Sequence, residues 1–159
     1  MNWVAAPEGL IEGALRVSFQ RYVRPASGHV AAAPASLGAL PVAASDTTFL
    51  LPLSGQEAFW IGLSVMGGVR ARLLLTAEWR NGRTTRFRSV LVPPARVVAG
   101  VTDGQGYAVF DATLAWLSLH AATACRVEVV GATEYAARTG CDAPHPPDPA
   151  FAYGGWRLP

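Results

Sequence analysis

Between Val69 and Val92, apolar and polar residues alternate along two runs joined by a turn dipeptide. In the first run Val69, Ala71, Leu73, Leu75, Ala77 and Trp79 fall on one face. Arg70, Arg72, Leu74, Thr76, Glu78 and Arg80 fall on the other. A period of two marks a strand with one buried face, and Asn81-Gly82 between two such runs predicts a hairpin. A two-residue loop would set Arg86 opposite Ala77 and Arg88 opposite Leu75, leaving two guanidiniums on the apolar face without partners, which is costly. A three-residue loop, Arg80-Asn81-Gly82, instead pairs Ala77 with Thr85, Leu75 with Phe87 and Ala71 with Leu91. It gives Gly82 the left-handed turn position. This register gathers Arg70, Arg72, Arg86 and Arg88 on one exposed face, with Glu78 diagonal to Arg86.

Other stretches follow the same logic. Leu15 to Gln20 alternates as a strand, with Arg21 interrupting its apolar face and Pro25 ending it. Thr47 to Leu53 is a short strand. Glu57 to Met66 is apolar on both faces, as in a central strand, and Gly67-Gly68 turns it directly into Val69, so 57–66, 69–79 and 83–92 predict a meander. Tyr107 to Phe110 and Arg126 to Val130 read as strands. Residues 112–124 fit either a helix capped by Asp111 or a strand on the Leu117-Ser118-Leu119-His120 alternation. Thr133 to Thr139 reads as a helix with Thr133 as cap and Gly140 as stop. Residues 1–13 and 95–106 read as loops.

Two stretches have no period. Residues 26–46 are rich in alanine and proline, and 141–159 holds five prolines with Phe151, Tyr153 and Trp156. The whole predicts a single, mainly β domain over 1–159: an antiparallel β-sandwich or jelly-roll-like barrel with one or two short helices. It carries an irregular arm or loop at 26–46 and an extended tail at 141–159.

Composition narrows the function classes. With 159 residues, 51% hydrophobic and 15% charged, the chain suits a packed globule. A net charge of +2 makes no case for nucleic acid. All thirteen basic residues are arginine, and from Arg70 to Arg96 there are seven arginines against one acid, Glu78. The remaining six arginines face ten acids. The chain opens without a basic stretch leading into an apolar one, and its longest apolar run, Ala58 to Met66, is too short to span a bilayer. The expectation is a cytoplasmic protein, or one released within an assembled particle, with no membrane contact. On that reading Cys125 and Cys141 are reduced thiols.

The candidate chemistry is sparse. Arg70, Arg72, Arg86 and Arg88 would match phosphate, sulfate or carboxylate groups, unless acids such as Glu57 and Glu128 balance them. His120 could act as a base with Asp103 or Asp111. Neither His29, His120 and His145 nor the two cysteines fall in a metal-ligand spacing, and no cofactor fingerprint is present; Gly104-Gln105-Gly106 is turn chemistry. Trp60 and Trp79 sit on expected core faces. Trp3, Phe151, Tyr153 and Trp156, near the termini, could anchor a partner. Exposed tryptophans could also stack on sugars. These features favour a structural or interaction protein over an enzyme. It would be a subunit of a larger assembly, such as a phage-like particle or secretion machine, contacting other subunits, its own copies or others, through 26–46 and 141–159. The alternatives are a binding module for a carbohydrate or anionic ligand and a small enzyme using His120.

Overall fold

The computed structural model describes residues 3–87 and 89–147. The chain opens with β1 (Trp3–Ala6), β2 (Gly9–Glu12), β3 (Leu15–Val23), β4 (His29–Val30), β5 (Ala43–Ser45), β6 (Thr48–Pro52) and β7 (Glu57–Val65). It continues with β8 (Ala71–Trp79), β9 (Thr84–Arg86), β10 (Val90–Val92), β11 (Val97–Val98), β12 (Val101–Asp103) and β13 (Gly106–Ala108). It closes with β14 (Phe110–Asp111), β15 (Leu114–His120), β16 (Ala124–Val130) and the helix α1 (Ala132–Thr139). One sheet runs β1-β2-β3-β7-β11, with β14 also on β7. A second runs β10-β8-β15-β16-β6-β5, with β9 also on β8. A small third sheet is β12-β13-β4.

The two large sheets enclose one core, as the alternation requires of a β-sandwich. Leu15, Val17, Phe19, Phe59, Ile61 and Leu63 from the first meet Leu73, Leu75, Ala77, Leu117, Leu119 and Val127 from the second. Among the described residues all strand pairings are antiparallel except β16 with β6. The ambiguous 112–124 stretch holds the strand β15 and the turn into β16 rather than a helix, and α1 covers Leu50 and Val130 with Tyr135.

Several expectations are corrected. The hairpin has its three-residue loop: Trp79 N–H donates to Arg83, Ala77 pairs with Thr85, and Gly82 has φ 85°. Beyond Phe87, however, the register slips by one, so Leu91 faces Arg72 and Ala71 faces Val92. The strand carries an extra residue there. The meander is not formed. β7 pairs with β3, and β8 with β15, so Gly67 and Gly68, both at positive φ, carry the chain from one sheet to the other. Within the 1–13 stretch expected as a loop, residues 3–12 form a hairpin turning at Pro7-Glu8, and 95–106 contains β11 and β12. Thr133 is not the helix cap; Gly131 is, without a side-chain bond, while Gly140 ends the helix at φ 73°.

The 26–46 stretch packs on the protein's own sheets. Gln20 bridges Ala39, Leu40 N–H donates to Phe19, and Leu40 and Val42 are buried. β3 runs past Gln20 to Val23, and Arg21 within it is accommodated. Arg21 lies on the core side, 9% exposed, where its guanidinium meets Glu57 at 2.5 Å and donates to the His145 carbonyl at 2.6 Å. The beginning of the 141–159 segment is thereby held against the sandwich, with Ala143 packed against the cluster of Leu50, Val130 and Tyr135.

Candidate functional site

The outer face of the first sheet is half roofed. At one end the third sheet covers it, burying Tyr22, Ala58, Val30 and Val109 together, with Trp60 and Tyr107 at the margin. Past Trp60 the face is open. There β3 presents Arg16, Ser18 and Gln20, and β7 presents Ser64, Gly62 and Trp60 directly opposite them. This open half is a groove of about 920 Å³, bordered by the β1–β2 turn on one side and by Arg96 and Val97 on the other.

One hydrogen bond holds the indole of Trp60: its N–H donates to the Pro34 carbonyl at 2.8 Å. The ring edge at Cζ3 lies beside Gly62. A Cβ added at residue 62 would stand 3.3 Å from Trp60 Cζ3 and 2.6 Å from Ser18 Oγ. Glycine therefore keeps the floor low beside the ring. Gln20 is held in turn: its amide N–H donates to Ser18 Oγ at 2.9 Å, and its oxygen accepts from Ser36 at 2.6 Å. Arg16 donates from Nε to the Met66 sulfur at 2.8 Å. Val4, Met66 and Val97, three of the most exposed large apolar side chains, lie on or beside this face. Sequence reading assigned Trp60 to the core. The available signal was the small, partly polar series Ala58, Gly62 and Ser64 flanking Trp60 on one face of β7, against Phe59, Ile61 and Leu63 on the other.

The arginine candidates lie elsewhere. Arg72 and Arg86 are exposed on the second sheet, Arg86 opposite Thr76, and Arg70 precedes β8; Arg88 lies outside the described residues. Arg72 Nη1 donates to Ser89 at 3.4 Å. The acids expected to balance them are engaged elsewhere. Glu78 meets Arg126, which stacks 3.9 Å from the Trp116 ring centroid. Glu128 meets Arg138, and Glu57 meets Arg21.

His120 is not joined to either candidate carboxylate. It ends β15 in the second sheet, opposite Leu74 and Ala124. Asp111 pairs on β7 in the first sheet and accepts from Arg24 at 2.8 Å and from Thr113. Burial pushes its carboxyl up, but the Thr113 and Arg24 bonds outweigh that and hold it below the usual range. Asp103 sits on the third sheet, its carboxyl lowered by the Gln105 N–H and by His29, whose Nε2 lies 2.7 Å away. His29 is raised above 6.5 by Asp103 and by the Ser27 carbonyl at Nδ1. Both ring nitrogens thus face acceptors, an arrangement that favours the protonated ring.

Trp3 is a core residue rather than a surface anchor: it is 2% exposed and donates to the Thr123 carbonyl at 2.9 Å. Phe151, Tyr153 and Trp156 lie outside the described residues. Cys125 is buried, its thiol pushed up to about 12 by burial and by Glu12, and Cys141 is exposed; neither is in a disulfide. Among the described residues no three His, Cys, Asp or Glu side chains are grouped to hold a metal ion. Comparison of the chain with protein-family models, curated proteins and solved structures finds no match to any of them.

Proposed function

We propose that this protein is a saccharide-recognition module that works through the groove on its first sheet. The carrying observation is Trp60, held by its indole N–H on the Pro34 carbonyl and set beside the glycine floor at Gly62, with Ser18, Gln20 and Ser64 alongside. A sugar ring presents a C–H face and a rim of hydroxyls. An aromatic face with its negative quadrupole suits the first, and a few placed amide and hydroxyl groups suit the second. The assembly reading stood on two irregular segments. Residues 26–46 are committed to the protein's own sheets, and 141–147 begin the tail against its own core, which leaves 148–159 as the basis for that reading.

Affinity electrophoresis through gels holding soluble polysaccharides, neutral and acidic in separate lanes, tests the proposal. At least one polysaccharide should retard the protein. Trp60→Ala should abolish the retardation, Trp60→Phe should retain part of it as a remaining platform, and Trp116→Ala should leave it unchanged. No retardation in any lane rejects saccharide recognition.

A further inference from the structure

We infer that the groove selects acidic glycans, taking their carboxylate or sulfate groups with Arg16 and Arg96; this rests on the saccharide reading above. Arg16 lies on β3 opposite Ser64. Arg96 precedes β11 and accepts the Leu63 N–H at its carbonyl, 2.8 Å away. The two arginines therefore flank the open end of β7 from its neighbouring strands, about two strand spacings or roughly 10 Å apart.

Four arginines of the protein, Arg21, Arg24, Arg126 and Arg138, are each bonded to a carboxylate. Arg16 and Arg96 have no carboxylate partner among the described residues. Arg16 Nε is turned to the Met66 sulfur, and its terminal nitrogens remain for a ligand. Glu8, in the β1–β2 turn, is the one acid among the described residues bordering the groove. The guanidinium fork matches a carboxylate or sulfate in two parallel bonds. Trp60 and Ser64 are four residues apart on one strand, roughly 13 Å. The aromatic platform and the arginines are too far apart to serve one ring, so an oligosaccharide would stack one unit on Trp60 and present an acidic substituent further along.

Calorimetric titration of the full chain with three probes tests this: oligogalacturonate for carboxylate, a heparin oligosaccharide for sulfate, and a cello-oligosaccharide as the neutral control. One acidic probe should bind at least about tenfold more tightly than the neutral one, and that binding should weaken between about 50 and about 500 mM salt. Arg16→Gln with Arg96→Gln should weaken acidic binding by about tenfold or more per arginine and leave any neutral binding unmoved. The paired lysine variants should fall between, because they keep charge and lose the fork. An unchanged urea midpoint confirms that each variant folds. Equal affinity for acidic and neutral probes, with a silent arginine pair, overturns acid selection while the groove reading survives. Acidic binding that persists in Trp60→Ala and in the Arg16/Arg96 pair, but is lost in Arg72→Ser with Arg86→Ser, overturns both and moves the site to the second sheet. Failure of all three probes also overturns the inference.

Discussion

Glu12 ties the two sheets together. It ends β2 in the first sheet, is 8% exposed, and reaches the turn between β15 and β16 in the second. Its carboxylate accepts the N–H of Ala122 and of Thr123, each at 2.9 Å, and the Thr123 hydroxyl. Glu12→Ala strands two N–H groups and opens a void. Hydrogen bonds to a charged acceptor contribute about 1.5–3 kcal/mol each, so a loss of about 3–5 kcal/mol is expected, a large part of a typical stability of 5–15 kcal/mol. For a chain of this size each kcal/mol lowers Tm by about 2–4 °C. Glu12→Gln keeps one acceptor but turns an amide donor toward an N–H, and should lose about 2–4 kcal/mol. Urea unfolding followed by fluorescence reads both variants, with the slope unchanged and the midpoint lowered. Glu8→Ala, in the β1–β2 turn, is the control and should stay within about 0.5 kcal/mol. A Glu12→Ala loss below about 1 kcal/mol would refute the clamp.

Three further predictions follow from side-chain surroundings. Glu57→Gln should destabilise by about 3–5 kcal/mol in urea, because it leaves the buried Arg21 guanidinium without its counter-charge; a loss below about 1 kcal/mol would mean that water reaches Arg21. His29 should titrate above 6.5 by NMR and fall back in Asp103→Asn. A raised folded value means that the pair's contribution is complete below the unfolded value and lost as pH rises through the folded one, and an unmoved titration in the variant would contradict this. Iodoacetamide at about pH 8 should label Cys141 in the native protein and Cys125 only after unfolding, since a thiolate is the nucleophile and burial holds Cys125 protonated. Equal labelling rates by mass spectrometry would refute it.

The β-sandwich was legible because alternation and turn chemistry agree from Val69 to Phe87. Charge on the apolar face rejected the shorter loop, and Gly82 stands where that argument put it. Three features were hidden for separate physical reasons. A single extra residue beyond Phe87 leaves no trace in a pattern of period two until the partner strand is known. Gly67-Gly68 serves a hairpin or a crossing between sheets equally well, and only the partners of β7 and β8 decide. Arg21 breaks the apolar face of β3 in sequence, yet Glu57, thirty-six residues away, allows the strand to continue. The groove was obscured because Trp60 reads as core by type. Its meaning comes from Gly62 beside it, and from Pro34 in a segment with no period of its own.

The central claim is that ligand contacts the open face of the first sheet. Two-dimensional amide NMR of the labelled full chain, titrated with oligogalacturonate, tests it most directly. The account predicts concentration-dependent shifts at the Trp60 indole N–H and at Ser18, Gln20, Gly62 and Ser64, with the amides around Arg72, Arg86 and Trp116 unmoved. Shifts confined to Arg72, Arg86 and Trp116, with the groove silent, would contradict it.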